Sequence, residues 1–362
     1  MRIIDSDGHV MDQQYGEEIA SYMPSGQGRG GVFPAFDHLH GRFLAPQRNQ
    51  PPGGRRRVGA EEWVQFLDDT EIDWTVLYPS GGLGVGRIAS EEWAIAACRA
   101  YNNWMHDTFV SKSDRLKAVG LIPVQDPEAA TAELQRCINE LGMVGAMLPS
   151  NGEGMKAHLG AKMYWPIYEE AEKLRATLAV HGGAFGRLGL DSFSSYYVVH
   201  ALGHPFSIMI QCAAMVGHGV FDQFPGLKVG YLEGGAAWVV FFMDRLDRSW
   251  NQAHFQTGLD GEPMLGPRPD EKGSQHFIRH AAAGRIFIGF DIDDEGLAAA
   301  IARLGPKPFL YASDFPHEGH NSELCRAEIG ELLRREDLTD AHKQAVLADN
   351  AEEFYPLAGA KR

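Results

Sequence analysis

The chain has 362 residues, with 33 Lys and Arg against 48 Asp and Glu, and a formal net charge of −15 at neutral pH. A strongly acidic protein repels a phosphate backbone and an anionic lipid surface, so we expect neither a nucleic-acid partner nor a membrane partner. Hydrophobic residues make up 44% of the chain and charged residues 22%, which excludes wholesale disorder. Length alone allows one large domain or two smaller ones.

Short apolar runs in chain order predict eight strands, and segments with helical spacing lie between most of them. The predicted strands are residues 2–7, 74–80, 116–124, 145–150, 178–182, 228–233, 285–291 and 309–314. The predicted helices are residues 91–109, 127–141, 165–174, 206–216, 296–304 and 340–355. This alternation favours an α/β fold of the parallel (β/α)8 type, a TIM barrel, over an open doubly wound sheet.

Three polar stretches that contain glycine and proline are additional to the strands, helices and short loops of a minimal barrel. They are residues 24–60 after strand one, residues 182–204 after strand five and residues 251–276 after the strand-six helix. Long loops inside a compact protein are usually functional or disordered. We therefore predict one domain over residues 1–362, with long loop insertions after strands one, five and six, and with residues 24–60 over the active-site mouth.

The remaining composition points to a reducing compartment. The longest apolar run, residues 236–243, is far shorter than the roughly 20 residues of a membrane span, and the N-terminus lacks a signal-peptide pattern. The four cysteines are scattered singly in apolar or helical surroundings, which is typical of free buried thiols. We expect a cytoplasmic protein.

Metal-capable side chains fall at the predicted carboxyl ends of the strands, which in a parallel barrel surround one mouth. Residues two apart on a strand point the same way, so Asp7 and His9 can share one ion. His181 after strand five and Asp314 after strand eight complete a set of two imidazoles and two carboxylates. Such a set suits zinc, manganese, iron or cobalt. Each residue taken alone has an ordinary structural explanation, but the shared position predicts a metal site.

Four motifs occur in order along the chain: IDSDGHV at residues 4–10, VHGG at 180–183, GVFDQFPGLK at 219–228 and YASDFPH at 311–317. Together they resemble the amidohydrolase-related family, which holds metal-dependent TIM-barrel hydrolases and aminocarboxymuconate-semialdehyde-type decarboxylases. The resemblance runs from residue 2 to about residue 357. It implies metal binding by Asp7, His9, His181 and Asp314, and a homodimer. We predict a divalent ion, zinc first with iron or manganese as alternatives, in one or two copies.

One position departs from the decarboxylases of that family, which usually carry a catalytic histidine in a His-Gly-Gly stretch at the end of strand six. This chain has Glu233 there. An anion at that position argues against decarboxylation and allows Glu233 to bind metal or to act as a general base. A salt bridge to Arg245 or Arg248 is the structural alternative.

These residues predict a metal-dependent hydrolase of a small organic molecule. A bound divalent ion lowers the pKa of water to about 7, so that hydroxide forms at neutral pH. We expect Asp314, Glu233 and His204 to be catalytic, and the ion-activated water to attack an acyl, ester, amide, lactone or thioester bond. The alternative on the same site is a metal-dependent non-oxidative decarboxylase of an aromatic or muconate-type carboxylic acid.

Further side chains are candidates for contact with the substrate. Arg187 could bind a substrate carboxylate, and Asp291 begins the loop after strand seven. Asp293 and Asp294 are expected at a helix start, where they complement the helix dipole. A simpler explanation, solvent exposure, applies to His200 and to the loop residues His317, Glu318 and His320 after strand eight.

Two other classes of function are less favoured. A barrel that binds a ligand without catalysis needs no open metal site. A nucleotide enzyme is disfavoured because the glycine-rich residues 81–86 lack Gly-x-Gly-x-x-Gly spacing.

Overall fold

A computed structural model describes residues 1–24, 31–34, 39, 57–253, 265–317 and 319–355. Eight parallel strands pair in the order β1 to β8. The strands are β1 Ile4–Val10, β2 Trp74–Pro79, β3 Leu116–Leu121, β4 Gly145–Pro149, β5 Thr177–His181, β6 Lys228–Leu232, β7 Ile286–Phe290 and β8 Phe309–Tyr311. The predicted (β/α)8 barrel is confirmed.

The helices alternate with the strands around the barrel. They are α1 Gly16–Ser21, α2 Ala60–Thr70, α3 Glu91–Met105, α4 Pro127–Asn139, α5 Trp165–Leu174, α6 Tyr196–Gly217, α7 Val220–Gln223, α8 Trp238–Ala253, α9 Gly273–Ala282, α10 Leu297–Leu304, α11 Ser322–Arg334, α12 Asp340–Gln344 and α13 Asn350–Phe354. The strands supply the centre of the core, since every residue of β2, β4, β5, β7 and β8 is buried.

Helix α6 differs most from its prediction, because it begins at Tyr196 rather than at residue 206. Pro205 lies inside it, where its missing N–H removes only one backbone hydrogen bond. The prediction wrongly took the segment before Pro205 for a loop. As a result, His200 and His204 lie one turn apart on one helix face.

Helix α6 is also long enough and apolar enough to cross a membrane, with a mean hydropathy of 1.3. One such helix is weak evidence, because a core helix of a soluble protein passes the same test. Val199, Ile208 and Cys212 of this helix are fully buried. The expected absence of a membrane partner and the cytoplasmic location stay predictions.

The predicted loop insertions are only partly described. Residues 25–30, 35–38 and 40–56 of the first stretch, and residues 254–264 of the third, lie outside the described residues. The placement of residues 24–60 over the mouth therefore stays a prediction, as does the single-domain assignment. In the second stretch, the chain runs without regular structure from Gly182 to Ser195 before α6 begins.

The glycine-rich segment after β2 is a short 3₁₀ helix, Gly81–Arg87, that binds a carboxylate of its own chain. The buried Asp12 accepts the backbone N–H groups of Ser80 at 3.1 Å and of Gly82 at 2.8 Å, and also that of Gly81. Burial raises the pKa of Asp12 to about 6 although these N–H groups lower it. The backbone N–H groups of this turn that could bind an anion are thus occupied by the carboxylate of Asp12.

Asp5 joins the first strand to the second and to the segment after the eighth. Its fully buried carboxylate accepts Thr75 Oγ1 at 2.6 Å, and the Oγ and N of Ser313, each at 2.8 Å. The N–H of Asp7 is 3.3 Å from the same carboxylate. Four donors occupy the two oxygens, so Asp5 is a structural group and not a metal ligand.

We expect Asp5→Asn to lower the free energy of unfolding by about 2 kcal/mol or more, because an amide would turn N–H donors toward Thr75 or Ser313. Urea unfolding followed by circular dichroism measures this. Asp69→Asn, at an exposed position on α2, is the control and should change stability by less than about 0.5 kcal/mol. Equal stability of the two variants would contradict the structural role of Asp5.

Candidate metal centre and active-site cavity

Five side chains converge at the mouth of the barrel: Asp7 and His9 from β1, His181 from β5, Glu233 after β6 and Asp314 after β8. His181 Nε2 lies 3.2 Å from Asp7 Oδ2 and 3.3 Å from Glu233 Oε2. His9 Nε2 lies 3.4 Å from Asp314 Oδ1 and 3.5 Å from Asp7 Oδ1. The structure therefore brings together the five residues that the sequence predicted as metal ligands.

Both imidazoles are oriented by a backbone carbonyl. His9 Nδ1 donates to the carbonyl of Pro79 at 3.2 Å, and His181 Nδ1 to that of Gly182 at 2.8 Å. This tautomer leaves both Nε2 lone pairs directed into the cluster, as in metal-binding histidines. Within the described residues, His9 Nε2 and Glu233 Oε2 are buried without a hydrogen-bond partner. These two atoms lie 3.9 Å apart, and a cation bound between them would satisfy both.

The electrostatics also favour a cation. Burial raises the pKa of Asp7, and burial together with the charge of Asp314 raises the pKa of Glu233 well above its usual value. Burial lowers the pKa of His9 well below its ordinary range. Burial opposes the charging of His181 too, but the neighbouring Asp7 and Glu233 outweigh it and bring its pKa to about 9. Three carboxylates beside two imidazoles leave an excess of negative charge that a divalent ion offsets.

Two of the five residues have a left-handed backbone, Glu233 with φ 66° and Asp314 with φ 53°. Such a conformation is costly for a residue with a side chain and often accompanies a functional site. In the case of Asp314, the neighbouring backbone supports it, since its N–H donates to the carbonyl of Asp7 at 3.1 Å. From these positions the carboxylates of Glu233 and Asp314 contact His181 and His9.

Asp314 is held by a hydrogen-bonded chain that the sequence analysis missed in part. His317 Nδ1 lies 2.7 Å from Asp314 Oδ1, and His317 Nε2 lies 2.9 Å from Ser80 Oγ. The ring of His317 stacks on that of His9 with 4.1 Å between centroids. The sequence contains no indication of this role for Ser80 beyond its position at a strand end, because its partner His317 lies 237 residues away in the chain.

A cavity of about 410 Å³ opens beside the cluster. Its lining includes His200 and His204 of α6 and the cluster residues Glu233 and Asp314. The acidic groups Asp291, Asp293 and Glu328 line it too, together with His320. His204 Nε2 is 3.9 Å from Glu233 Oε1, so His204 lies at the edge of the cluster as well as in the cavity.

The other sequence candidates have different outcomes. Asp291 lines the cavity, and the surrounding protein and the charge of Asp314 raise its pKa to about 7. Arg187 does not reach the cavity but lines a separate crevice with Arg87 and Glu153, so it is poorly placed to bind a substrate there. Its backbone turns at φ 66°, which the sequence pattern did not reveal. Glu318 lies outside the described residues.

A second group of metal-capable side chains, Asp222, His276 and His280, is saturated by its neighbours. His276 Nε2 is 2.7 Å from Asp222 Oδ2, and His280 Nε2 is 3.0 Å from His276 Nε2. Arg285 donates to His280 Nδ1 at 3.0 Å, so the proton of a neutral His280 lies on Nε2 and leaves no lone pair there for a metal. Arg279 adds a cation 3.2 Å from Asp222. This group is a structural network.

The sequence and the fold of this chain are similar to those of known proteins. Residues 4–357 match the family model described as Amidohydrolase. The 2-amino-3-carboxymuconate-6-semialdehyde decarboxylase of Dictyostelium discoideum is 25% identical over 295 residues, 81% of this chain and 76% of that protein. The crystal structure of 5-carboxyvanillate decarboxylase from Sphingomonas paucimobilis has a TM-score of 0.74 and 21% identity over 99% of each chain.

A third relative was solved with a metal. The dihydroxybenzoic acid decarboxylase of Polaromonas sp. JS666, with bound manganese and the inhibitor 2-nitroresorcinol, has a TM-score of 0.66 and 20% identity. It covers 98% of this chain and 96% of its own.

These comparisons overturn the prediction of a hydrolase. The similar enzymes named above are decarboxylases, which was the alternative that the sequence analysis placed second. The error came from Glu233, whose charge was taken to argue against decarboxylation. In the structure Glu233 lies against His181 and belongs with the ligand cluster, so its charge does not distinguish the two reactions.

We expect His181→Ala to lower the affinity for a divalent ion by at least about tenfold, because it removes an oriented imidazole from the cluster. Elemental analysis after purification without chelator, followed by titration with manganese, measures this. His280→Ala is the matched control and should retain the ion, since His280 belongs to the saturated second group. Loss of metal from His280→Ala alone would contradict the assignment of the centre to the barrel mouth.

Proposed function

The chain belongs to the amidohydrolase family, and we propose that it is a metal-dependent non-oxidative decarboxylase of a small aromatic or muconate-type carboxylic acid. The observation that carries the proposal is the convergence of three carboxylates and two oriented imidazoles beside an open cavity. The decarboxylases similar to this chain over most of its length support the choice of reaction.

We propose that Asp7, His9, His181, Glu233 and Asp314 hold one divalent ion, and that the ion is manganese. Three carboxylates and two imidazoles form an oxygen-rich set of five, whereas structural and catalytic zinc sites are usually four-coordinate. The bound manganese of the Polaromonas enzyme supports the same choice. When bound, the ion polarises an oxygen of the substrate and stabilises the negative charge that develops there.

A single ion is favoured over two because the second potential ligand group is already hydrogen-bonded. It consists of His9, Asp314 and His317, and it shares both His9 and Asp314 with the five proposed ligands. Both ring nitrogens of His317 have partners, Asp314 on one side and Ser80 on the other. This leaves His317 to orient Asp314 rather than to bind a second ion.

Decarboxylation replaces the carbon–carboxylate bond by a carbon–hydrogen bond, so the site must supply one proton to the carbon that releases carbon dioxide. We assign this proton to Asp314, whose side chain is 27% exposed and lines the cavity. Ser80 and His317 form a hydrogen-bonded chain behind it, which fixes the carboxyl and can return a proton after each turnover.

The remaining cavity residues bind and orient the substrate. We propose that His204, with His200 one turn away, contacts the substrate carboxylate, because both imidazoles line the cavity and a ring N–H can donate a hydrogen bond to a carboxylate. Phe185 packs edge-on against His204 at 4.7 Å and limits its rotation. Asp291 lines the same cavity and is a further candidate for contact with the substrate.

We expect Asp314→Asn to lower kcat for carbon dioxide release by about 100-fold or more, because the amide cannot deliver a proton. The assay is carbon dioxide release by the manganese-loaded enzyme from a panel of hydroxy- and aminobenzoic acids, with metal content measured in parallel. Asp270→Asn, at an exposed position, is the control. A fully active Asp314→Asn, or hydrolysis of esters and lactones without carbon dioxide release from any acid, would sink the proposal.

We expect Glu233→Gln to weaken manganese binding by about tenfold while the fold is retained, because the variant removes one anionic ligand from the centre. Competition with a chelator of known affinity measures this. Glu323→Gln makes the same chemical change at an exposed position of α11 and should leave the affinity unchanged. Equal affinity in both variants would remove Glu233 from the ligand set.

A further inference from the structure

Tyr355 follows α13, far in sequence from the first strand, and we infer that it is a positioning residue for the metal centre. It acts on Asp7 and His9 through the carbonyl of Ser6, to which its hydroxyl donates at 2.7 Å. The inference rests on the proposed function, because it assigns to Tyr355 a role toward the ion that these two ligands would hold.

The first strand is irregular at the point where it supplies its ligands. Asp5 pairs with Thr75 and Gly8 pairs with Leu77, so three steps along β1 correspond to two steps along β2. One extra residue of this kind, a β-bulge, bends a strand and redirects its side chains, and bulges are frequent beside active sites. Asp7 lies within this bulge, so its direction depends on how the bulge is held.

The bulge lies between two aspartates of different function, although residues two apart on a regular strand point the same way. The carboxylate of Asp5 accepts donors from Thr75 and Ser313. The carboxylate of Asp7 instead lies 3.2 Å from His181 Nε2 in the ligand cluster. A small change in the backbone of the bulge would therefore move a proposed ligand.

Two buried tyrosines connect the bulge to the imidazoles of the centre. Because Tyr355 donates its hydroxyl proton to the carbonyl of Ser6, its oxygen accepts the hydroxyl of Tyr78 at 2.8 Å. Both tyrosines are fully buried. The ring of Tyr78 lies 5.4 Å from that of His181 and 6.5 Å from that of His9, measured between centroids. The tyrosine pair thus contacts the backbone of one proposed ligand segment and the rings of two proposed ligands.

The end of the chain gives Tyr355 a fixed support. Asn350, at the start of α13, donates to the carbonyls of Pro306 and Phe309, each at 2.8 Å. The N–H of Tyr355 donates to the carbonyl of Ala351 at 2.9 Å. A hydroxyl held in this way keeps the bulge, and with it the two ligands of β1, in one position.

The test compares two variants that each lose one buried hydroxyl that donates to a backbone carbonyl: Tyr355→Phe and, as the matched control, Tyr168→Phe. The hydroxyl of Tyr168 donates to the carbonyl of Leu159, and its ring packs against Phe224. Competition with a chelator of known affinity measures manganese binding, and urea unfolding measures stability. We expect both variants to lower the urea midpoint, but only Tyr355→Phe to weaken manganese binding, by about tenfold.

Tyr78→Phe is a second variant that tests the inference even if Tyr355→Phe does not fold. It removes the hydrogen bond between the tyrosines but leaves the one from Tyr355 to Ser6. We therefore expect a smaller loss of manganese affinity, about threefold. In the double variant the two losses should not add, because both act through the same hydrogen-bonded pair.

The outcomes separate the inference from the proposed function. Manganese binding by Tyr355→Phe as tight as that of the wild-type protein would overturn the inference, and so would an equal loss of affinity in Tyr168→Phe. If Tyr355→Phe does not fold, unchanged affinity in Tyr78→Phe would overturn it. A wild-type protein that binds no divalent ion would overturn the proposed metal centre itself. Tight manganese binding without carbon dioxide release from any acid would overturn only the decarboxylase proposal.

Discussion

The joint between the first strand and the segment after the eighth determines the geometry of the whole mouth. The N–H of His9 donates to the carbonyl of Phe315 at 2.7 Å, and the N–H of Asp314 to that of Asp7. Buried Asp5 adds two bonds to Ser313. The same few residues close the barrel and supply three of its five candidate ligands, so the closure itself sets the distances within the metal centre.

Aspartates near the start of the chain show how the environment assigns a role to one residue type. Asp5 and Asp12 are buried and surrounded by donors, and both hold neighbouring segments in place. Asp7 is equally buried but faces His181 and the unpartnered Nε2 of His9. A carboxylate surrounded by backbone and hydroxyl donors therefore has a structural role. A carboxylate beside imidazole lone pairs can instead bind a cation together with them.

The acidic composition of the chain reappears locally in the cavity. The carboxylates of the metal centre face a proposed dication, while Asp291, Asp293 and Glu328 line the cavity together with the imidazole of His320. A bound divalent ion would offset part of this negative charge and so help an acidic pocket to receive an anionic substrate.

The sequence by itself determined the eight strands, their alternation with helices and the convergence of Asp7, His9, His181, Glu233 and Asp314, because strand ends of a parallel barrel meet at one mouth. It could not place Arg187, whose loop turns it into a separate crevice, nor pair Ser80 with His317, because such contacts join distant parts of the chain. It also misjudged α6, since the helix continues through Pro205. Only the tertiary structure decided which carboxylates are held by donors and which face the cavity, because that depends on neighbours brought together by folding.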